Sequence, residues 1–135
     1  MGVTLHSNAL TVDSFIYGGY NNIEILSDLY VLSLPGFRWF RVPVTGTPRH
    51  IHKCIAARGR QMLVVGGLGD GWSNWSQDQT DPWSQGLGIL DMTTLSWSDR
   101  YDPNSPAYES AQVVKDWYNG GCARPSQCSY VSAPS

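Results

Sequence analysis

Long apolar runs are missing from this chain. No stretch approaches the ~20 consecutive apolar residues that span a bilayer as a helix. Charge is scarce as well. Only 15% of the 135 residues are Asp, Glu, Lys or Arg, and 9 basic residues against 11 acidic ones leave a formal charge of −2. The basic residues are scattered, with no run or stripe that would release phosphate counterions, which weighs against nucleic acid and against an anionic membrane surface as partners. The first ten residues, MGVTLHSNAL, hold no basic segment and no long apolar core, so they do not read as a signal peptide. His6 stands where a myristoylation sequence has Ser or Thr. The histidines are His6, His50 and His52 alone, and no Ser/His/Asp set can be assembled from them. The glycine-rich GGLGDG at 66–71 is not followed by Lys-Ser/Thr and a helix, so it is no phosphate loop. Cysteine is equally sparse. Cys54 lies in an apolar run and reads as a buried free thiol. Cys122 and Cys128 either pair across a short loop in an oxidising compartment or remain two free thiols.

What is abundant is glycine and tryptophan, 14 and 6 residues, in a chain that is 41% hydrophobic. Few charges with much glycine and aromatic content fit short, tightly turned strands better than helices. The length suits one ordinary domain.

A repeat organises the chain. SFIYGGYN at 14–21 is matched by MLVVGGLG at 62–69, so Gly19 and Gly67 are 48 positions apart. LYVLSLPGFRWFRV at 29–42 aligns with LGILDMTTLSWSDR at 87–100, which pairs Trp39 with Trp97 at a separation of 58. The difference is a ten-residue insertion within Leu68–Gly86, and insertions that spare flanking strands map to loops. Each unit reads as strand, strand, Gly-Gly, loop, strand, turn and a strand opened by Trp. The expected strands are Leu5–Leu10, Ser14–Tyr17, Leu29–Ser33 and Trp39–Val42, then His52–Ala57, Gln61–Val65, Leu87–Asp91 and Trp97–Tyr101. Pro35-Gly36 and Thr93-Thr94 mark the third turns. Beyond them, Ala111, Val114 and Trp117 share one face of a short helical pattern over Tyr108–Asn119, with Gly120 as its cap. From Gly121 the chain reads as a disordered tail.

Gly18-Gly19, Tyr30 and Trp39 resemble the kelch motif of a double glycine, a downstream Tyr and a Trp some nine positions later. The second copy keeps Gly66, Gly67 and Trp97 but has Gly88 in place of the Tyr, which predicts a smaller plug and looser packing there. The resemblance covers about residues 3–101. The chain is also similar to the last blades of fungal cell-surface kelch ectodomains, from which the tail CARPSQCSYVSAPS departs. The resemblance implies an all-β fold of two four-stranded antiparallel blades, 1–48 and 49–104, belonging to an incomplete β-propeller. A short helical segment, 105–120, and a tail, 121–135, follow. It further implies a non-enzymatic protein-interaction scaffold without cofactor, binding a protein or glycan, in the extracellular part of an anchored or secreted protein. Galactose-oxidase-like enzymes also use such blades, with a copper site of Tyr, His and Cys that cannot be placed on this chain residue by residue.

The inserted loop holds Trp72, Trp75 and Trp83 among Asp70, Asp78 and Asp81. Aromatic plates beside carboxylates bind sugar rings and peptide side chains. The competing reading is that these tryptophans pin a long loop onto the scaffold. Strand alternation puts this loop at the same end as Pro43–Arg49. The three aspartates do not have the spacing of an EF-hand. Asn74-Trp75-Ser76 is a glycosylation sequon. His50, His52 and Cys54 share a strand face by the period of two and form either a trio of metal ligands or a polar patch on a channel-lining strand. Two such blades alone leave faces and strand edges uncovered, so the isolated chain is expected to be marginally soluble and to associate with itself, or to lack independent function.

Overall fold

The computed structural model describes residues 2–7, 11–43, 46–69 and 80–120. They form two four-stranded antiparallel sheets and one short helix. The N-terminal sheet runs in the order β1 (Gly2–Ser7), β2 (Val12–Tyr20), β3 (Ile25–Leu34) and β4 (Arg38–Val42). The C-terminal sheet is β5 (Lys53–Ala56), β6 (Gln61–Val65), β7 (Leu87–Asp91) and β8 (Ser96–Ser98). Both are meanders in which each strand pairs with its neighbour in sequence, and β1 lies beside β5. The helix α1 spans Gln112–Asn119.

The registers repeat. Phe15 faces Val31 and Tyr17 faces Leu29 in the first sheet, while Leu63 faces Ile89 and Val65 faces Leu87 in the second. Trp39 pairs with Leu32, as Trp97 pairs with Leu90. Backbone angles repeat too. Gly18, Gly19, Gly66 and Gly67 all have positive φ, and so do Phe37 and Leu95 in the turns that open β4 and β8. A side chain on Gly18 or Gly67 would also collide with the linker between the sheets, its Cβ lying 2.5 Å from the Arg49 carbonyl oxygen or 2.8 Å from that of His50. Glycine is required at both places by conformation and by space.

Strand alternation decides what is buried. Phe15, Tyr17, Leu29, Val31, Phe40 and Val42 project from one face of the N-terminal sheet. They pack against Met62, Val64 and Leu90 of the C-terminal sheet in a single core. The first four are fully buried.

Several boundaries differ from the sequence expectation. β1 begins at Gly2 and pairs through Ser7 with Val12, where Leu5–Leu10 was expected, and residues 8–10 lie outside the described residues. β3 is longer than Leu29–Ser33 because Tyr20 pairs with Ile25 beyond the bulge at the glycines. β8 stops at Ser98, short of Tyr101. The helix starts at Gln112, four residues after Tyr108, because Tyr108 and Ser110 spend their hydroxyls on the buried Asp13 carboxylate, at 2.5 and 2.6 Å. Gly120 does follow the helix, but with φ −71° and not in a left-handed cap. Val114 is buried and Trp117 packs edge-on against Phe40 at 6.2 Å, so the helix uses the expected face.

Candidate functional site

The junction between the sheets is organised by the linker at 46–52. Its backbone bonds to both sheets. The Gly19 amide donates to the Arg49 carbonyl at 3.0 Å, the Arg49 amide to Leu26 at 3.2 Å, and His50 and Leu68 exchange two bonds of 2.9 Å. The start of the inserted loop therefore lies against the linker, at the end the alternation of strands predicts.

Arg49 is fully buried. Its guanidinium donates to the Gly66 carbonyl at 2.6 Å and to Asp81 Oδ1 at 3.0 Å, and its central carbon sits 3.5 Å from the centroid of the Trp83 ring. A buried guanidinium needs this combination of counter-ion, carbonyl and aromatic face. Asp81 Oδ1 also accepts the Trp83 amide at 2.9 Å, which fixes the turn that delivers the indole. Trp83 stacks on Tyr17 with 6.2 Å between centroids and 21° between planes, and meets Trp97 at 5.1 Å. Tyr17 contacts Trp97 at 4.9 Å and His52 at 5.3 Å, and its hydroxyl donates to the Thr47 carbonyl. Burial raises the Tyr17 pKa, against a smaller lowering by Arg49, so the phenol stays protonated.

The expected looseness at Gly88 is absent. A Cβ there would lie 2.5 Å from the Trp83 ring. The indole of the inserted loop fills the place that corresponds to Tyr30 in the first sheet. Insertion and missing Tyr are thus one event in packing terms. Tyr30 is half-buried on the outer face of its own sheet, and Trp39 there is 48% exposed, while its counterpart Trp97 packs on the junction cluster.

Among the predicted binding residues, Trp83 and Asp81 come together at this junction. Asp70, Trp72, Trp75 and Asp78 lie outside the described residues, as do the Asn74 sequon and Cys122 and Cys128. His50, His52 and Cys54 do not converge on a metal. Ile51 has φ +57°, which breaks the strand alternation between the two histidines. His50 Nδ1 donates to the Leu68 carbonyl at 3.0 Å, whereas His52 Nε2 donates to the Tyr17 carbonyl at 3.0 Å from a buried position. Desolvation lowers the His52 pKa to about 4 and raises that of the Cys54 thiol to about 12. Among the described residues no group of three His, Cys, Asp or Glu side chains is placed to hold a metal, and no helix is long and apolar enough to cross a membrane.

Next to the junction, sequence reasoning missed a solvent-facing apolar group. Tyr20, Ile23 and Ile51 are 56%, 89% and 71% exposed. Two of them sit on tied elements. Asn21 Oδ1 accepts the amides of Ile23 and Glu24 at 2.9 and 2.8 Å, and the Tyr20 ring lies 5.8 Å from that of His50. A signal was available in Asn21-Asn22, residues that favour tight turns and left-handed φ.

No family model matches the chain. It is 37% identical over 57 residues to Kelch domain-containing protein 10 of Homo sapiens, a match covering 42% of this chain and 13% of that protein. It is 38% identical over 61 residues to the Rho GTPase-activating protein gacHH of Dictyostelium discoideum, covering 43% of this chain and 4% of that one. It is 32% identical over 90 residues to tRNA wybutosine-synthesizing protein 2/3/4 of Oryza sativa subsp. japonica, covering 64% of this chain and 8% of that one. The chain therefore spans only a small part of the length of these relatives, and the likeness reaches as far as a kelch-like relation.

Proposed function

We propose that this chain is part of a kelch-type β-propeller that serves as a non-enzymatic protein-interaction scaffold, presenting the loops at its Gly-Gly end to a protein or a glycan. The observation that carries this reading is the repeated four-stranded unit, stacked face to face, whose paired glycines let one linker bond to both sheets at once. The similarity to Kelch domain-containing protein 10 supports the same reading. A scaffold of this kind holds its connecting loops rigid, and loops on a rigid scaffold are where binding evolves. Tyr20, Ile23 and Ile51 are the exposed apolar groups on such supports, and apolar or aromatic anchors dominate recognition surfaces. Trp83 and Asp81 serve this reading as struts of the junction.

The test is capture of proteins from the source organism by the immobilised chain, together with a glycan array. The double variant Ile23→Asp/Ile51→Asp should lose the captured partner while its unfolding transition stays within a few degrees of the parent. Capture that is indifferent to both substitutions would remove the loop end as the binding surface.

A further inference from the structure

We infer that copies of this chain stack head to tail, the outer face of the N-terminal sheet of one copy receiving the outer face of the C-terminal sheet of the next. This rests on reading the two sheets as successive units of one stacked architecture.

The chain contains the required interface once already. Inside it, Phe15, Tyr17, Leu29 and Val31 of the N-terminal sheet meet Met62, Val64, Leu90 and Trp97 of the C-terminal sheet. The register repeat then says what the two outer faces carry. On the N-terminal sheet, Ser14, Ile16, Tyr30, Leu32 and Trp39 occupy the places of Met62, Val64, Gly88, Leu90 and Trp97. On the C-terminal sheet, Leu63, Val65, Leu87 and Ile89 occupy the places of Phe15, Tyr17, Leu29 and Val31, with Ile55 beside Leu63. The two outer faces are thus the two halves of the interface that the chain makes internally. Ile89 on the C-terminal face is already buried within the single copy and Leu63 and Leu87 are half-buried, but each face keeps apolar side chains in solvent. Trp39 is 48% exposed on one, and Ile55 and Val65 are 54% and 43% exposed on the other. On the N-terminal face Tyr30 fills its own slot, so a second copy meets a complete surface there without needing the Trp83 device.

Such contact is heterologous, with different patches on the two partners, and it closes into a ring or runs on as an open stack according to the rotation per copy. A ring with the roughly 4–8 sheets usual for propellers holds about two to four copies. Pairing through strand edges is a different mode and leaves both faces open.

The experiment is sedimentation velocity and native mass spectrometry on the 135-residue chain over a hundredfold range of concentration. Trp39→Asp spoils only the N-terminal outer face, and Val65→Asp only the C-terminal one. The parent chain should form discrete oligomers. Each variant alone should be monomeric with a β-sheet circular dichroism spectrum. An equimolar mixture of the two should give a one-to-one dimer and nothing larger, because one intact pair of faces remains. Trp39→Ser and Ile55→Asp replace either variant that fails to fold. A parent that stays monomeric throughout, a single variant that still assembles as the parent does, or a mixture that stays monomeric would overturn the inference. Capture of a partner by a monomeric chain would leave the scaffold reading standing, and stacking without capture would leave only the inference.

Discussion

Exchanging Trp83 and Gly88 provides a quantitative test of the repeat. Trp83 lies over Gly88, stacks on Tyr17 and carries the Arg49 guanidinium on its face. Truncating a packed Trp to Ala costs about 3–5 kcal/mol. Trp83 is only partly buried, so about 3 kcal/mol is expected for Trp83→Ala. Gly88→Tyr alone drives a Cβ to 2.5 Å from the indole and should cost about 1–3 kcal/mol as overpacking. If Gly88 truly corresponds to Tyr30, the double variant restores the ordinary pattern of the first sheet. Its tyrosine occupies the hole left by the indole, and its loss should be smaller than the sum of the single losses by about 0.5–3 kcal/mol, the range of coupling between residues in contact. The assay is urea unfolding followed by far-UV circular dichroism, with all four proteins compared at one concentration so that self-association is constant. Additive losses would refute both the equivalence of Gly88 with Tyr30 and the account of Trp83 as its substitute.

Three further outcomes follow from the buried groups. The His52 pKa is lowered by desolvation to about 4 in the folded chain, while the unfolded chain titrates near 6.5. The unfolded state therefore binds more protons between these values, so stability falls as pH drops from about 6.5 to about 4, by on the order of 2–3 kcal/mol, and a His52→Gln variant should show a flatter profile over that window. Asp13→Ala removes the acceptor shared by Ser33, Tyr108 and Ser110, which should cost about 2–4 kcal/mol and raise amide exchange along Tyr108–Asn119, whereas unchanged exchange would exclude Asp13 as the anchor of that segment. The thiol of Cys54, half-buried against the core and with its pKa pushed up to about 12, should react with iodoacetamide at pH 8 more slowly in native buffer than in urea, as read by peptide mapping; equally rapid native labelling would contradict that desolvation.

The repeat was legible because its marks are backbone requirements. A glycine pair at positive φ, a turn and a tryptophan near the start of the last strand depend on local geometry, and each recurs in both halves, the glycines 48 positions apart and the tryptophans 58. The same reasoning located the start of the inserted loop beside the linker. What escaped it depended on three-dimensional neighbours. Nothing local in the linker marks Arg49 for burial, which the carbonyl of Gly66, the carboxylate of Asp81 and the face of Trp83 help make tolerable. Asp13 in a strand has partners 95 and 97 positions away, which no local pattern can supply. The consequence of Gly88 was read in the wrong direction because the filler comes from an insertion with no counterpart in the first copy. The metal alternative for His50, His52 and Cys54 depended on period-two alternation running through Ile51, where the chain turns left-handed.

Cross-strand proton contacts in the nuclear Overhauser spectrum test the duplicated sheet most directly. The chain should show antiparallel backbone contacts between Trp39 and Leu32 and matching ones between Trp97 and Leu90, with ring contacts joining Tyr17 to Trp97 across the junction. Helical amide contacts in either region, or the second pair shifted by one residue from the first, would contradict the account.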